Sequence, residues 1–397
     1  MSVIGIVAEY NPFHRGHEYH IHRTRKLVGA DATVVCVMSG DFVQRGEAAI
    51  YNKFARAEAA CRCGADLVIE LPLPWSLASA EGFARGAVYL LNSLGCDTLS
   101  FGSESGDIDA LDVLVDVLLL PDINEQIKHI LQENPNMSYA AARQQVTAIY
   151  CGEAARLLET PNNILALEYL KAIRTLGFKL RPMTVQRFGS PHDGTGGGFK
   201  SAAELRELLQ AGRSISDELP AEAAEVFARE DRLGRGMSRS DLLETAILSR
   251  LRVLKAEEFD HLPDASNGLG RRLFLAAAEE PSLEALMTAV KSKRFAMSRV
   301  RRMICCAALG VTDDLTNGRP PYARLLAANA RGCEHLKNLR GGACPIVTKP
   351  SVVRQLSAYA LQVFELGAQA HDLAALASPA VDARRGGADW RTSPIIL

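Results

Sequence analysis

The chain has 397 residues, a formal net charge of −1 and 48% hydrophobic residues. That length gives room for two or three domains with ample core, and the composition excludes a chain dominated by disorder. The near-neutral balance also excludes nucleic-acid binding by bulk charge, so any such contact has to use a local basic surface.

In chain order, the apolar run Val3-Ile4-Gly5-Ile6-Val7 predicts a strand that stops in the loop Glu9-Tyr10-Asn11-Pro12-Phe13-His14-Arg15-Gly16-His17. Two imidazoles bracket a glycine there, so the backbone can come close to a phosphate while His14 and His17 point donors at the same oxygens. Helical character over 18–28 puts His17 at a helix N-terminus, where unpaired N–H groups and the macrodipole favour an anion. Two other readings compete. A histidine-rich stretch also makes a solvated helix start, which suits His20 and His22. His14, His17 and His20 also recur at metal-binding intervals, although no Cys or carboxylate falls at a matching ligand spacing. Strand, loop and helix together point to nucleotidyl transfer, with His14 and His17 as the catalytic pair and no dedicated metal ligands.

Further strands are predicted over 33–38, 66–71 and 97–101, alternating with crossover helices over 51–63 and 79–94. This alternation implies an α/β fold with a doubly wound parallel sheet. In such sheets ligands sit beyond the carboxyl ends of the strands, where His14, Gly40 and Gly102 fall. Helices over 109–120, 138–151 and 163–176 form an insertion over about 107–177, followed by a strand over 180–188. The run Gly194-Thr195-Gly196-Gly197-Gly198 reads either as a mobile flap or as a plain connector, and a helix follows over 202–209. Beyond about residue 218 the pattern is helical almost throughout. The expected organisation is a catalytic domain over 1–217 and an all-α C-terminal domain over 218–397.

The nine cysteines show no framework: Cys61-Arg62-Cys63 is one residue too tight for a zinc knuckle, and Cys305 and Cys306 are neighbours. They read as reduced thiols. With no basic leader and no apolar run of membrane-span length, the expected setting is the cytoplasm, with no membrane partner.

Several residues outside the first loop are candidates for chemistry. Arg206 lies within two turns of a helix that Ser201 can cap, so both can hold the β- and γ-phosphates of a nucleotide; a surface arginine is the plain alternative. Arg187 can meet phosphate while Phe188 stacks on a base, or both can belong to the core. Asn162 can contact ligand, cap the helix after it, or both. Lys53 and Arg56 share a helix face that either reaches phosphate or is simply solvated.

The basic surface is Lys291-Ser292-Lys293-Arg294-Phe295-Ala296-Met297-Ser298-Arg299-Val300-Arg301-Arg302-Met303. On a helical projection Lys291, Arg294, Arg299, Arg301 and Arg302 share one side, with Met297, Val300, Met303 and Ile304 opposite. With Lys293, these are the candidate RNA-binding residues; solvated charge is the usual fate of such a run. Phe295 falls on the basic side, where it can stack on a base or pack against a helix. Arg271-Arg272 is a lesser basic cluster.

Asn11-Pro12-Phe13-His14-Arg15-Gly16-His17 resembles the HxGH loop of the nucleotidylyltransferase superfamily, and the whole chain resembles the bacterial tRNA(Met) cytidine acetate ligase family. The second match is carried by Met38-Ser39-Gly40-Asp41-Phe42-Val43-Gln44-Arg45-Gly46-Glu47, Gly64-Ala65-Asp66-Leu67-Val68-Ile69-Glu70-Leu71-Pro72, Phe101-Gly102-Ser103-Glu104, Pro161-Asn162-Asn163-Ile164-Leu165 and Lys291-Ser292-Lys293-Arg294-Phe295. It implies a Rossmann-like nucleotidyltransferase domain followed by a helical tRNA-binding domain. It also implies a ligase that activates acetate with ATP, without acetyl-CoA, and acetylates N4 of the wobble cytidine of elongator tRNA(Met) through acetyl-adenylate, releasing AMP and diphosphate.

The implied ATP contacts are Val7, Ala8, Glu9, Tyr10, Asn11, Pro12, Phe13, His14, Arg15, Gly16, His17, Glu18, Tyr19 and His20, then Gly102, Asn162, Arg187 and Phe188. One motif departs from the superfamily: the second phosphate segment, of the Ser-x-Thr-x-x-Arg kind, is here Ser201-Ala202-Ala203-Glu204-Leu205-Arg206, with alanine in place of the threonine. Mg²⁺ is expected to neutralise the triphosphate, held mainly by phosphates and water. Two other functions fit the residues: an adenylyltransferase for a small phosphorylated metabolite, and a non-catalytic RNA-binding protein.

Overall fold

The computed structural model describes residues 2–187 and 198–397. Phe188 and Gly194 to Gly197 lie outside the described residues, and so does the reading of that glycine run.

The chain opens with strand β1 (Val3–Ala8) and a helix, Arg15–Val28, then β2 (Thr33–Ser39). A small antiparallel hairpin follows, β3 (Phe42–Val43) and β4 (Glu47–Ala48), with its own two-stranded pairing. After the helix Lys53–Arg62 come β5 (Leu67–Leu71), the helix Ala80–Ser93 and β6 (Thr98–Ser103). The helical insertion occupies the interval between β6 and β7 (Arg181–Gln186), ending in the helix Pro161–Leu176. Strands β1, β2, β5, β6 and β7 run parallel.

Burial explains the strand sequences. All seven residues of β2 are buried, as a parallel sheet covered on both faces requires, and its side chains alternate between two cores. Val34, Cys36 and Met38 meet Ile21 and the alanines of the helix Lys53–Arg62, whereas Val35 and Val37 meet Phe83, Val88 and Leu91 of the helix Ala80–Ser93. A third core joins Phe42 and Leu73 to the helices from Ser240–Val253 to Met297–Leu309. Among the described residues no helix is long and apolar enough to cross a membrane.

The C-terminal part is helical nearly throughout, with a correction at the sheet. Strand β8 (Ala323–Ala328) is wholly buried and pairs antiparallel with β5, while β9 (Ile346–Val347) and β10 (Ile395–Ile396) pair with β8. The sheet order is β10-β8-β5-β2-β1-β6-β7, so its far edge comes from beyond residue 320 and the expected division at 217 is not a division of the sheet. Ala-Arg-Leu-Leu-Ala-Ala lacks β-branched residues and reads as helix; burial between β5 and the chain end makes it a strand.

Candidate active site

The loop after β1 is shaped by its two histidines. His14 caps the helix Arg15–Val28: its Nδ1 accepts the Gly16 N–H at 3.0 Å, and His17 Nδ1 accepts the His14 N–H at 3.3 Å. A ring nitrogen that accepts an N–H carries no proton, so each neutral imidazole holds its proton on Nε2. The rings lie 3.8 Å apart between centroids, and the His14 Nε2 is buried without a protein partner.

Burial lowers the pKa of His14 to about 4, with the Arg187 charge adding to it. Burial lowers His17 well below its ordinary value, helped by His14 and Arg187, and lowers His20 to about 4. All three are neutral donors at physiological pH. The glycine between the pair is required by His14 itself: a Cβ at Gly16 would lie 2.8 Å from His14 Cε1 and push the ring out of its cap.

These rings face a cleft of about 360 Å³ beyond the carboxyl ends of β1 and β6. Val7, Ala8, Glu9, Tyr10, Asn11, His14, His17 and His20 line it from the first loop and helix. Gly102, Asn162, Arg187, Ser201 and Arg206 reach it from far along the chain. The other residues of the first segment do not line it. Phe13 is fully buried in the core, Pro12 is buried, Arg15 is exposed, and Gly16, Glu18 and Tyr19 are half-buried outside its lining. His20 is no solvated helix residue, since its Nε2 pairs with Ser100 Oγ at 2.9 Å.

Arg206 is held in place rather than loose on the surface. Its Nη1 donates to the Asn11 carbonyl at 2.9 Å and its Nη2 meets Glu47 at 2.9 Å. Ser201 spends its hydroxyl on a capping box with Glu204, so its position relative to the cleft is fixed locally. Asn162 does not cap the helix Pro161–Leu176. Glu104 does that work, accepting the N–H groups of Asn162 at 3.2 Å and Asn163 at 2.8 Å, and it also fixes the Asn162 amide at 2.7 Å.

The cleft also holds residues that sequence reasoning left unassigned: Gln44, Arg45, Phe83, Phe101, Leu165 and Tyr169. The hairpin segment was a motif in the sequence, and its role is now visible. The Gln44 N–H donates to Glu9 Oε1 at 2.8 Å, and Arg45 lines the cleft. At the tip, Gly46 has φ +75, and a Cβ there would fall 2.4 Å from the Arg302 nitrogen. The hairpin thus seats directly on the helix Met297–Leu309.

Lys53 and Arg56 neither meet solvent nor face the cleft; both are 0% exposed. Arg56 gathers the carbonyls of Glu9 (2.6 Å), Ser39 (3.2 Å), Gly40 and Tyr51 (2.9 Å), which ties the ends of β1 and β2 together. Lys53 Nζ lies 2.8 Å from Glu70 and 2.9 Å from Asp389, and Arg324 shares the Asp389 carboxylate at 2.6 Å. A charged pattern on one helix face meant buried partners, not water.

The HIGH Nucleotidyl Transferase family model matches residues 1–389. A tRNA(Met) cytidine acetate ligase of Syntrophotalea carbinolica is 41% identical over 84% of this chain and 81% of its own length. That of Acetivibrio thermocellus is 34% identical over the whole of both chains. The crystal structure of Thermotoga maritima TmcAL bound with alpha-thio ATP superposes with a TM-score of 0.92 at 33% identity, covering all of both chains. This chain belongs to the tRNA(Met) cytidine acetate ligase family.

The basic segment has a different shape from the projected helix. Only Met297–Leu309 is helical, and residues 291–296 form a turn closed by a bridge between Ser292 and Phe295. Phe295 is buried in the helical core, with the guanidinium of Arg299 over its ring at 4.9 Å and that of Arg294 at 5.9 Å, so it is not a platform for a base. Arg299 donates to the Asp264 carbonyl at 2.6 Å, and Arg302 pairs with the Asp264 carboxylate at 3.2 Å. Those two brace the turn at Asp264. Lys291, Lys293 and Arg294 are exposed, and half-buried Arg301 has no hydrogen-bond partner among the described residues.

Proposed function

We propose that this chain acetylates N4 of the wobble cytidine of elongator tRNA(Met), using ATP and free acetate through an acetyl-adenylate. The observation that carries the reading is the cleft itself: two neutral imidazoles, each with its proton on Nε2, share one cavity with Arg187, Arg206 and Asn162. Little covalent work is needed from protein, because a carboxylate oxygen attacks the α-phosphorus as diphosphate leaves. Catalysis is positioning plus charge stabilisation.

His14 and His17 donate to oxygens whose charge grows in that step, each donor worth on the order of 3 kcal/mol. Arg187 and Arg206 hold the departing diphosphate. Arg206 is preset for this by its bonds to Asn11 and Glu47. Among the described residues that line the cleft, Glu9 is the carboxyl that would help hold Mg²⁺, which would neutralise triphosphate charge and be carried mainly by phosphate oxygens and water.

The tRNA lies over Lys291, Lys293, Arg294 and Arg301, and the hairpin carrying Arg45 spans from that surface to the cleft. The target base leaves its stack to bring the amine to the adenylate. Incubation with ATP, acetate and tRNA(Met), without acetyl-CoA, followed by nuclease digestion and mass spectrometry, yields N4-acetylcytidine. None formed by folded protein overturns the proposal.

A further inference from the structure

One wall of the cleft is left over once its polar groups are assigned. Val7 and Phe101 stand at the ends of β1 and β6, Phe83 comes from the helix Ala80–Ser93, and Leu165 and Tyr169 come from the helix Pro161–Leu176. Phe83, Phe101 and Tyr169 are 3%, 4% and 5% exposed and belong to the core beneath, with the Phe101 and Tyr169 rings 5.8 Å apart. The recess is therefore backed by packed core, which resists deformation by a larger occupant.

Its polar feature is the Tyr169 hydroxyl, which makes no hydrogen bond among the described residues on a side chain that is largely buried and lines the cleft. A phenol on an otherwise apolar wall offers one donor to whatever occupies the recess. Burial, with the nearby Glu9 carboxyl, raises its pKa, so it remains a donor.

The geometry points to this recess as the acyl-donor subsite, which takes a short aliphatic carboxylate. The methyl of acetate sits among Phe83, Phe101 and Leu165, one carboxylate oxygen accepts from the Tyr169 hydroxyl, and the other oxygen faces the α-phosphorus beside His14 and His17. The assignment rests on the proposed function and names the site where its second substrate binds.

The chemistry follows from that placement. In the first step the free oxygen bonds to the α-phosphorus as the bond to the bridging oxygen breaks, and that electron pair leaves with diphosphate; acetate is already ionised, so no proton moves. In the second step the cytidine N4 bonds to the carbonyl carbon while the carbonyl pair moves onto the oxygen held by Tyr169. The pair returns as the acyl C–O bond breaks, AMP departs with its electrons, and N4 loses a proton to water. Tyr169 then donates to an oxygen whose charge grows in the reaction, which makes it a catalytic residue as well as a binding one.

The test is acetate-dependent ATP–diphosphate exchange by the full chain, with and without tRNA(Met), using acetate or propionate. Tyr169→Phe keeps the ring and is expected to raise the KM for acetate about tenfold while the KM for ATP stays within about twofold. Leu165→Ala is expected to shrink the preference for acetate over propionate by about tenfold or more, through room for one extra methylene.

Equal rises in KM for ATP and acetate would put adenine in the recess. Unchanged exchange with lost tRNA acetylation would put the cytosine there. Either result overturns the subsite, as does an unaltered acyl preference in Leu165→Ala together with an unaltered acetate KM in Tyr169→Phe. Exchange absent from the parent under both conditions overturns the proposed function instead.

Discussion

Replacing His14 by alanine removes two contributions at once, and a second substitution separates them. The imidazole Nδ1 caps the helix Arg15–Val28 by accepting the Gly16 N–H at 3.0 Å, and Nε2 faces the cleft without a protein partner. Losing the cap costs about 1 kcal/mol of stability. In a chain of this size that lowers the thermal midpoint by only about 1 °C, from the usual entropy of unfolding per residue. Losing the donor to the transferring phosphoryl group costs about 3 kcal/mol of barrier, or roughly a hundredfold in rate.

His14→Asn restores a good capping side chain in the place of the imidazole without an N–H at the Nε2 position. It should therefore melt like the parent but remain about a hundredfold slower in acetate-dependent ATP–diphosphate exchange. Scanning calorimetry and the exchange assay on the two variants decide the matter. Activity returning together with stability in His14→Asn would show that His14 shapes the helix end and takes no part in phosphoryl transfer.

The neutral histidines set a pH signature. His14 and His20 have folded pKa values of about 4 against an ordinary 6.5, so the unfolded chain binds more protons between those values. Their contribution to stability is present above pH 6.5 and lost as pH falls toward 4, and urea midpoints across that window should flatten in His14→Asn. ATP brings negative charge beside the same rings, so binding near pH 5.5 should take up protons, measured by calorimetry in buffers of different ionisation enthalpy; proton release would contradict the assignment. Asp389→Ala strips Lys53 and Arg324 of a shared buried carboxylate and should cost about 3–5 kcal/mol in urea unfolding. Lys293→Ala and Arg294→Ala should weaken tRNA binding and reduce its salt slope by about 1 each. Arg302→Ala, which loses a partly exposed pair with Asp264, should leave that slope alone and cost about 1 kcal/mol of stability. Filter binding across a salt series distinguishes the two classes.

Periodicity made the parallel strands legible, because a covered strand has to be apolar along its length, and the His14 loop stood out by its two imidazoles about a glycine, which the structure gives to the His14 cap. The predicted strand over 33–38 differs from Thr33–Ser39 by one residue at its end. What sequence could not show is where a charge finds its partner. Lys53 on a helix with Arg56 has the look of a solvated face, but its carboxylates stand at Glu70 and Asp389, the latter 336 positions away, and nothing in a local window marks that distance. The same limit applies to the basic segment, where the pairing of Arg299 and Arg302 with Asp264 has no mark in a local window. It also explains β8, an alanine- and leucine-rich run whose helical propensity is overridden by the free edge of β5. Two of these cases, Lys53 with Arg56 and β8, meet at one place. β8 carries Arg324 into the carboxylate pair that holds Lys53, and the helix Lys53–Arg62 carries Arg56 to the carbonyls of Glu9 and Gly40. The C-terminal chain therefore reaches the wall of the cleft through buried charge. Buried charges with such distant partners tie β8 and the chain at Asp389 to the helix Lys53–Arg62 and β5, since removing either side leaves the other's ions unpaired.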